Sequence, residues 1–106
     1  MSTQLIEWKE EEFTAAQQEK GIAVVEFGAP WCAACKMTEP AVAAISADYP
    51  NVKFAKVDVA TNPALAAKMG VMSLPNILIL VDGKIKEQII GGANRAKIEE
   101  KLKKFI

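Results

Sequence analysis

The chain has 106 residues, enough for one hydrophobic core and no second one. Hydrophobic residues make up 51 % and charged residues 25 %, which excludes a disordered chain, and equal counts of 13 bases and 13 acids exclude binding by phosphate neutralisation. There are two cysteines and no histidine. That removes Ser-His-Asp and Cys-His catalysis and histidine metal ligation, and two cysteines alone cannot close a four-ligand zinc site.

In chain order, Leu5 and Ile6 can form a short first strand. A helix is expected over 10–20, with an acidic first turn (Glu10, Glu11, Glu12) and Gly21 behind it. Residues 22–27 read as a buried strand. A helix over 32–49 carries Met37, Ala41 and Ile45 as its apolar row, with Pro40 expected to kink it. Residues 52–57 are a further strand. Asn62 is placed to cap a short helix that has Pro63 at its first position and Gly70 at its end. Residues 76–81 are nearly all apolar, as befits a central strand, and 85–90 follow after Asp82-Gly83, a strong hairpin signal. Asn94 can cap a last helix with Ile98, Leu102 and Phe105 on one face. The order β-α-β-α-β-α-β-β-α predicts an α/β domain over 1–106, with parallel strands joined by crossovers and one antiparallel edge from the hairpin.

No basic-then-apolar leader pattern opens the sequence, and no apolar run is long enough to cross a bilayer. The expectation is a cytoplasmic protein. The first 20 residues hold five acids and two bases, and residues 93–106 hold five bases and two acids. Matching of helix dipoles accounts for this asymmetry.

Cys32 and Cys35 form a Cys-x-x-Cys pair. A four-residue loop gains only about 2 kcal/mol from closure, against about 3 kcal/mol for a 15-residue loop, so the pair suits chemistry better than stapling. A thiolate is the reactive species, and a cysteine at a helix N-terminus meets unpaired N–H groups and the positive dipole end. Cys32 stands at such a strand-to-helix junction, with Cys35 one turn deeper. Cys32 is therefore the expected nucleophile and Cys35 the resolving thiol. Glu26 lies mid-strand, where a carboxylate must be protonated or paired, or else point outward. As a buried group it would act as general base for Cys35.

Residues 24–36, with Trp31-Cys32-Ala33-Ala34-Cys35-Lys36 at their end, resemble the active-site strand and helix start of the thioredoxin family. Pro40, Asp58, Leu74-Pro75, Asp82-Gly83 and Gly91 match in the same order, over essentially the whole chain. The resemblance implies a mixed sheet of four to five strands flanked by four helices in three α/β/α layers. It implies a protein-disulfide reductase and electron carrier with no bound cofactor, cycling through a Cys32–Cys35 disulfide. It also implies a cis Pro75 facing the cysteines, Lys56 tuning Glu26, and a docking surface of Trp31, Ala33, Ala34, Leu74, Ile90, Gly91 and Gly92. Implied partners are a flavin-dependent thioredoxin reductase and disulfide-containing client proteins, met by a monomer that binds neither nucleic acid nor membrane.

The sequence departs from the family pattern at four places. Glu26 replaces the usual aspartate, Gly28 a tryptophan common in bacterial members, Ala33-Ala34 the usual Gly-Pro, and Asn76 the usual threonine. Alanine at 34 restores an N–H that proline lacks, which predicts a more stable Cys32 thiolate and a less reducing couple. The competing readings are an oxidase or isomerase of the same fold, a non-catalytic docking module, and a metal or cluster site shared by two chains.

Overall fold

The computed structural model describes residues 5–106, so the first four residues of the expected 1–106 domain lie outside the described residues. Nine elements follow in the expected order: β1 (Ile6–Glu7), α1 (Glu10–Gln17), β2 (Ile22–Gly28), α2 (Ala33–Ser46), β3 (Lys53–Asp58), α3 (Pro63–Lys68), β4 (Asn76–Val81), β5 (Lys84–Ile90) and α4 (Arg95–Leu102).

The five strands form one sheet in the order β1-β3-β2-β4-β5. β1 and β2 run parallel to β3. β4 runs antiparallel to β2, and β5 antiparallel to β4. The direction of β4 corrects the expectation of a parallel strand there. A parallel crossover must carry the chain back along the strand it left. α3 has six residues, about 9 Å of helix, against roughly 20 Å of strand. The chain therefore re-enters the sheet from the end where β3 left it.

Alternation along β2 divides the core. Ala23, Val25 and Phe27 pack with Phe13 of α1 and Leu65 of α3. Val24 faces the other way, with Val42 and Ile45 of α2 and Ile98 and Leu102 of α4. Two helices thus cover each face, in three α/β/α layers. By the same period of two, Glu26 shares the Val24 face and Lys56 the Phe54 face, so both lie under α2.

Several local expectations are corrected. In α2 the buried residues are Cys35, Thr38, Val42, Ala43 and Ile45, while Met37 is 79 % exposed and Ala41 half-buried. Positions 35, 38, 42 and 45 follow the 3.6-residue period, and the row through Met37 and Ala41 lies to one side of it. α2 continues through Pro40 to Ser46, as the single helix expected across that residue. Asn62 occupies the N-cap position of α3, but its side chain makes no bond there. Its Oδ1 instead accepts from the Glu10 N–H at 3.2 Å, and its Nδ2 donates to the Asp58 carbonyl at 2.9 Å. The residue is buried and serves the start of α1, a helix 52 positions away.

Other expectations are borne out. Asn94 caps α4, its Oδ1 accepting from the Lys97 N–H at 2.9 Å. Asp82 and Gly83 join β4 to β5 with φ of 54° and 84°, the left-handed pair that a two-residue type I′ turn needs. Any Cβ at 83 would lie 1.9 Å from the Gln17 carbonyl oxygen, so only glycine fits.

Candidate active site

β2 delivers the chain to Gly28, and α2 opens at Ala33. Between them the Cys32 N–H donates to the Ala29 carbonyl at 3.1 Å. Cys32 is the N-cap of α2 in an extended conformation, and its sulfur accepts from the Cys35 N–H at 3.1 Å. A side chain at this position serves the orphan donors of the first turn. The two sulfurs are joined as a disulfide with a Cα–Cα distance of 5.3 Å. Cys32 is half-buried and Cys35 buried, so Cys32 is the more accessible residue of the pair. The N–H restored by Ala34 is not the one bonded to Cys32; the bonded donor belongs to Cys35.

Behind Cys35 lies a pocket of about 180 Å³, lined by Glu26, Gly28, Glu39 and Lys56 among others. Glu26 is 2 % exposed, and its Oε2 has no hydrogen-bond partner. Burial pushes its carboxyl up from 4.5 to about 7; the nearby Glu39 carboxylate adds to the rise and Lys56 opposes it. The outward-facing alternative for Glu26 is thereby set aside, and so is a direct pair with Lys56. Lys56 sits opposite Glu26 in the β2–β3 register, yet its ammonium pairs with Glu39 Oε2 at 3.1 Å. Gly28 closes the pocket against the sulfur. A Cβ there would lie 3.1 Å from Cys35 Sγ, closer than side chains pack without a shift.

The Leu74–Pro75 peptide is cis. Pro75 immediately precedes Asn76, which pairs with Phe27 across the β2–β4 ladder and with Ile90 across the β4–β5 ladder. Pro75, Ile90 and Gly91 therefore share the sheet end from which β2 leads to the cysteines. The Gly91 N–H donates to the Pro75 carbonyl at 2.9 Å, and Gly91 has φ of 86°. Trp31 is 71 % exposed, which excludes a core role, and Ile90 is also exposed. Ala33, Ala34 and Gly92 are exposed and Leu74 is half-buried. Asn76 is turned inward, accepting from Gln88 Nε2 at 3.1 Å and donating to the Ser73 carbonyl at 3.4 Å.

Sequence reasoning missed two parts of the site. An apolar cavity of about 300 Å³ lies beside Leu74, lined by Val59, Ala66, Val71 and Met72. It is assembled from three segments and left no local signal. Glu39 drew no reading from the sequence. Its signal was its spacing, four residues beyond Cys35 and so on the same face of α2. Among the described residues, no group of three or more Cys, His, Asp or Glu could hold a metal ion.

The family model described as thioredoxin matches residues 4–104. The chain belongs to the thioredoxin family. A thioredoxin from Bacillus subtilis is 33 % identical over 93 residues, 87 % of this chain and 89 % of that one. A thioredoxin from Porphyra purpurea is 36 % identical over 84 residues, 78 % of each chain. Among solved structures, the oxidised form of mitochondrial thioredoxin 3 from Saccharomyces cerevisiae superposes with a TM-score of 0.86 at 30 % identity, covering 95 % of both chains. Family membership and the Cys32–Cys35 pair make this protein a protein-disulfide oxidoreductase of the thioredoxin type, a disulfide reductase.

Proposed function

We propose that residues 1–106 form one thioredoxin domain that carries electrons to client proteins in the cytoplasm, as a monomer, with Cys32 as nucleophile and Cys35 as resolving thiol. The observation that carries this reading is the partly exposed Cys32 at the cap of α2, bonded to a buried Cys35 beneath it. In the reduced protein the Cys32 thiolate attacks one sulfur of a client disulfide. The client S–S bond breaks, its other sulfur leaves as a thiolate, and a mixed disulfide forms on Cys32. The Cys35 thiol gives its proton to the Glu26 carboxylate and attacks Cys32 Sγ. The Cys32–client bond breaks and the second client sulfur leaves as a thiolate. The client gains two electrons, and the Cys32–Cys35 pair becomes the disulfide.

Glu26 suits the role of base because burial places its titration near neutral pH. Lys56 tunes it from the neighbouring strand. The docking surface comprises Trp31, Ala33, Ala34, Leu74, Pro75, Ile90, Gly91 and Gly92, which are small or apolar and leave backbone free for an extended client segment. A flavin-dependent thioredoxin reductase returns the two electrons. Sparse cysteine usage, confined to one reactive pair, supports a reducing compartment.

Insulin reduction driven by dithiothreitol tests this reading. Cys32→Ser is expected to abolish turnover, and Cys35→Ser to accumulate a client mixed disulfide visible on a non-reducing gel. The potential of the couple, equilibrated with glutathione, fixes the direction of flow. A value near that of thioredoxins, about −270 mV, supports a reductase; a value near −180 mV or above transfers the reading to an isomerase or oxidase.

A further inference from the structure

The pocket behind Cys35 holds more charge than the proton transfer uses. Glu7 faces it from β1, Lys56 and Asp58 from β3, and Lys36 and Glu39 from α2, while β4 presents only Ile77 opposite Glu26. Among these groups Lys56 has a choice of partner. It sits in register with Glu26, whose Oε2 accepts nothing, yet its ammonium goes to Glu39. Desolvation explains the choice. The side chains of Lys56 and Glu39 keep 31 % and 27 % of their surface in water, so both ions stay partly hydrated. A pair with Glu26 would place two charges in the interior, at a cost of several kcal/mol per ion.

We propose that Glu39 is a positioning residue for the resolving step: it holds the Lys56 ammonium away from Glu26, so that the buried carboxyl remains free to exchange the Cys35 proton. This inference rests on the reading of Glu26 as the proton acceptor. Two effects of Glu39 act in the same direction. Its pairing with Lys56 withholds the cation that would fix Glu26 in the charged form, and its own negative charge opposes ionisation of Glu26. Without Glu39, Lys56 would turn to Glu26, the carboxylate would be stabilised, and it would become a weaker base.

The experiment follows the Glu26 carboxyl by ¹³C NMR titration of the disulfide form, in the full chain and in Glu39→Gln, Lys56→Met and the double variant. The rate at which Cys35 resolves a client mixed disulfide is measured over the same pH range. Glu39→Gln is expected to lower the Glu26 midpoint by about one pH unit and to move the acid limb of resolution with it. In the Lys56→Met background the same substitution is expected to move the midpoint less than half as far. Glu39→Ala, which adds no amide, must shift the midpoint in the same direction. An unchanged midpoint, a shift of opposite sign, or equal shifts in the two backgrounds overturns the proposal. Failure of the proton-acceptor reading registers separately, as unaltered resolution in Glu26→Gln, while the NMR midpoints still decide what Glu39 does to Glu26.

Discussion

Two charged clusters flank the ends of α2, and they are built differently. Near the end of the helix Arg95 donates to Glu99 at 2.7 Å and to Asp48, and the Tyr49 hydroxyl donates to Glu99 at 2.8 Å. The bond from Arg95 holds the Glu99 carboxyl below its usual range, and the bond to Glu99 raises the Tyr49 hydroxyl. Both oxygens of Glu99 are occupied. Near the start of the helix Lys56 and Glu39 satisfy each other, and Glu26 beside them keeps an oxygen with no partner. The exposed cluster is closed and links the turn after α2 to α4. The other, with Glu26 buried at its inner edge, is left open on the side of Cys35. Native proteins rarely bury an unsatisfied acceptor without a use for it. The difference teaches that an incomplete network, more than a dense one, marks the chemistry here.

The comparison breaks most sharply at Glu26. Glu26→Gln is expected to slow resolution of the mixed disulfide about 10²-fold at pH 7 in stopped-flow measurements, with the first attack by Cys32 little changed. The same group should govern stability against pH. Its carboxyl is raised from 4.5 to about 7 on folding, so the folded state binds the proton more tightly than the unfolded chain. Its contribution to stability is therefore full below pH 4.5 and falls as pH rises to 7, by about 3 kcal/mol. Urea denaturation should show this slope in the wild type and a flatter profile in Glu26→Gln. Gly28→Ala would press a methyl against Cys35 Sγ; a destabilisation of about 1–3 kcal/mol is expected, read as a lower urea midpoint. The smallest effect belongs to the closed cluster. Arg95→Ala should leave both the resolution rate and the urea midpoint nearly unchanged, because exposed ion pairs contribute little.

Much of this was legible in the chain. Asp82-Gly83 and Asn94 punctuate the elements through local chemistry, and each acts where the sequence placed it; α1 instead ends at Gln17, three residues short of the expected end before Gly21. The junction of a buried strand with Cys32 placed the cysteine pair at the start of α2, and the mid-strand Glu26 named the buried acid. Strand direction was not legible, because an apolar run such as Asn76–Val81 reads the same in either sense; the shortness of α3 held the clue. The phase of α2 was misread because Met37 is apolar yet faces solvent. Asn62 looked like a local cap and instead serves a distant helix, which no window of sequence can display. Glu39 escaped notice because its meaning depends on where the Lys56 ammonium goes, a contact across 17 positions.

The hydrogen bond from the Cys35 N–H to the Cys32 sulfur has a consequence for how the protein cycles. The sulfur caps α2 by accepting that N–H in the disulfide state, and a Cys32 thiolate at the same place would accept it more strongly still. Reduction thus changes the charge at the helix tip while leaving its wiring in place. Little backbone needs to reorganise for electrons to enter or leave, so the two redox forms can present almost one shape to every partner and be told apart chiefly by charge.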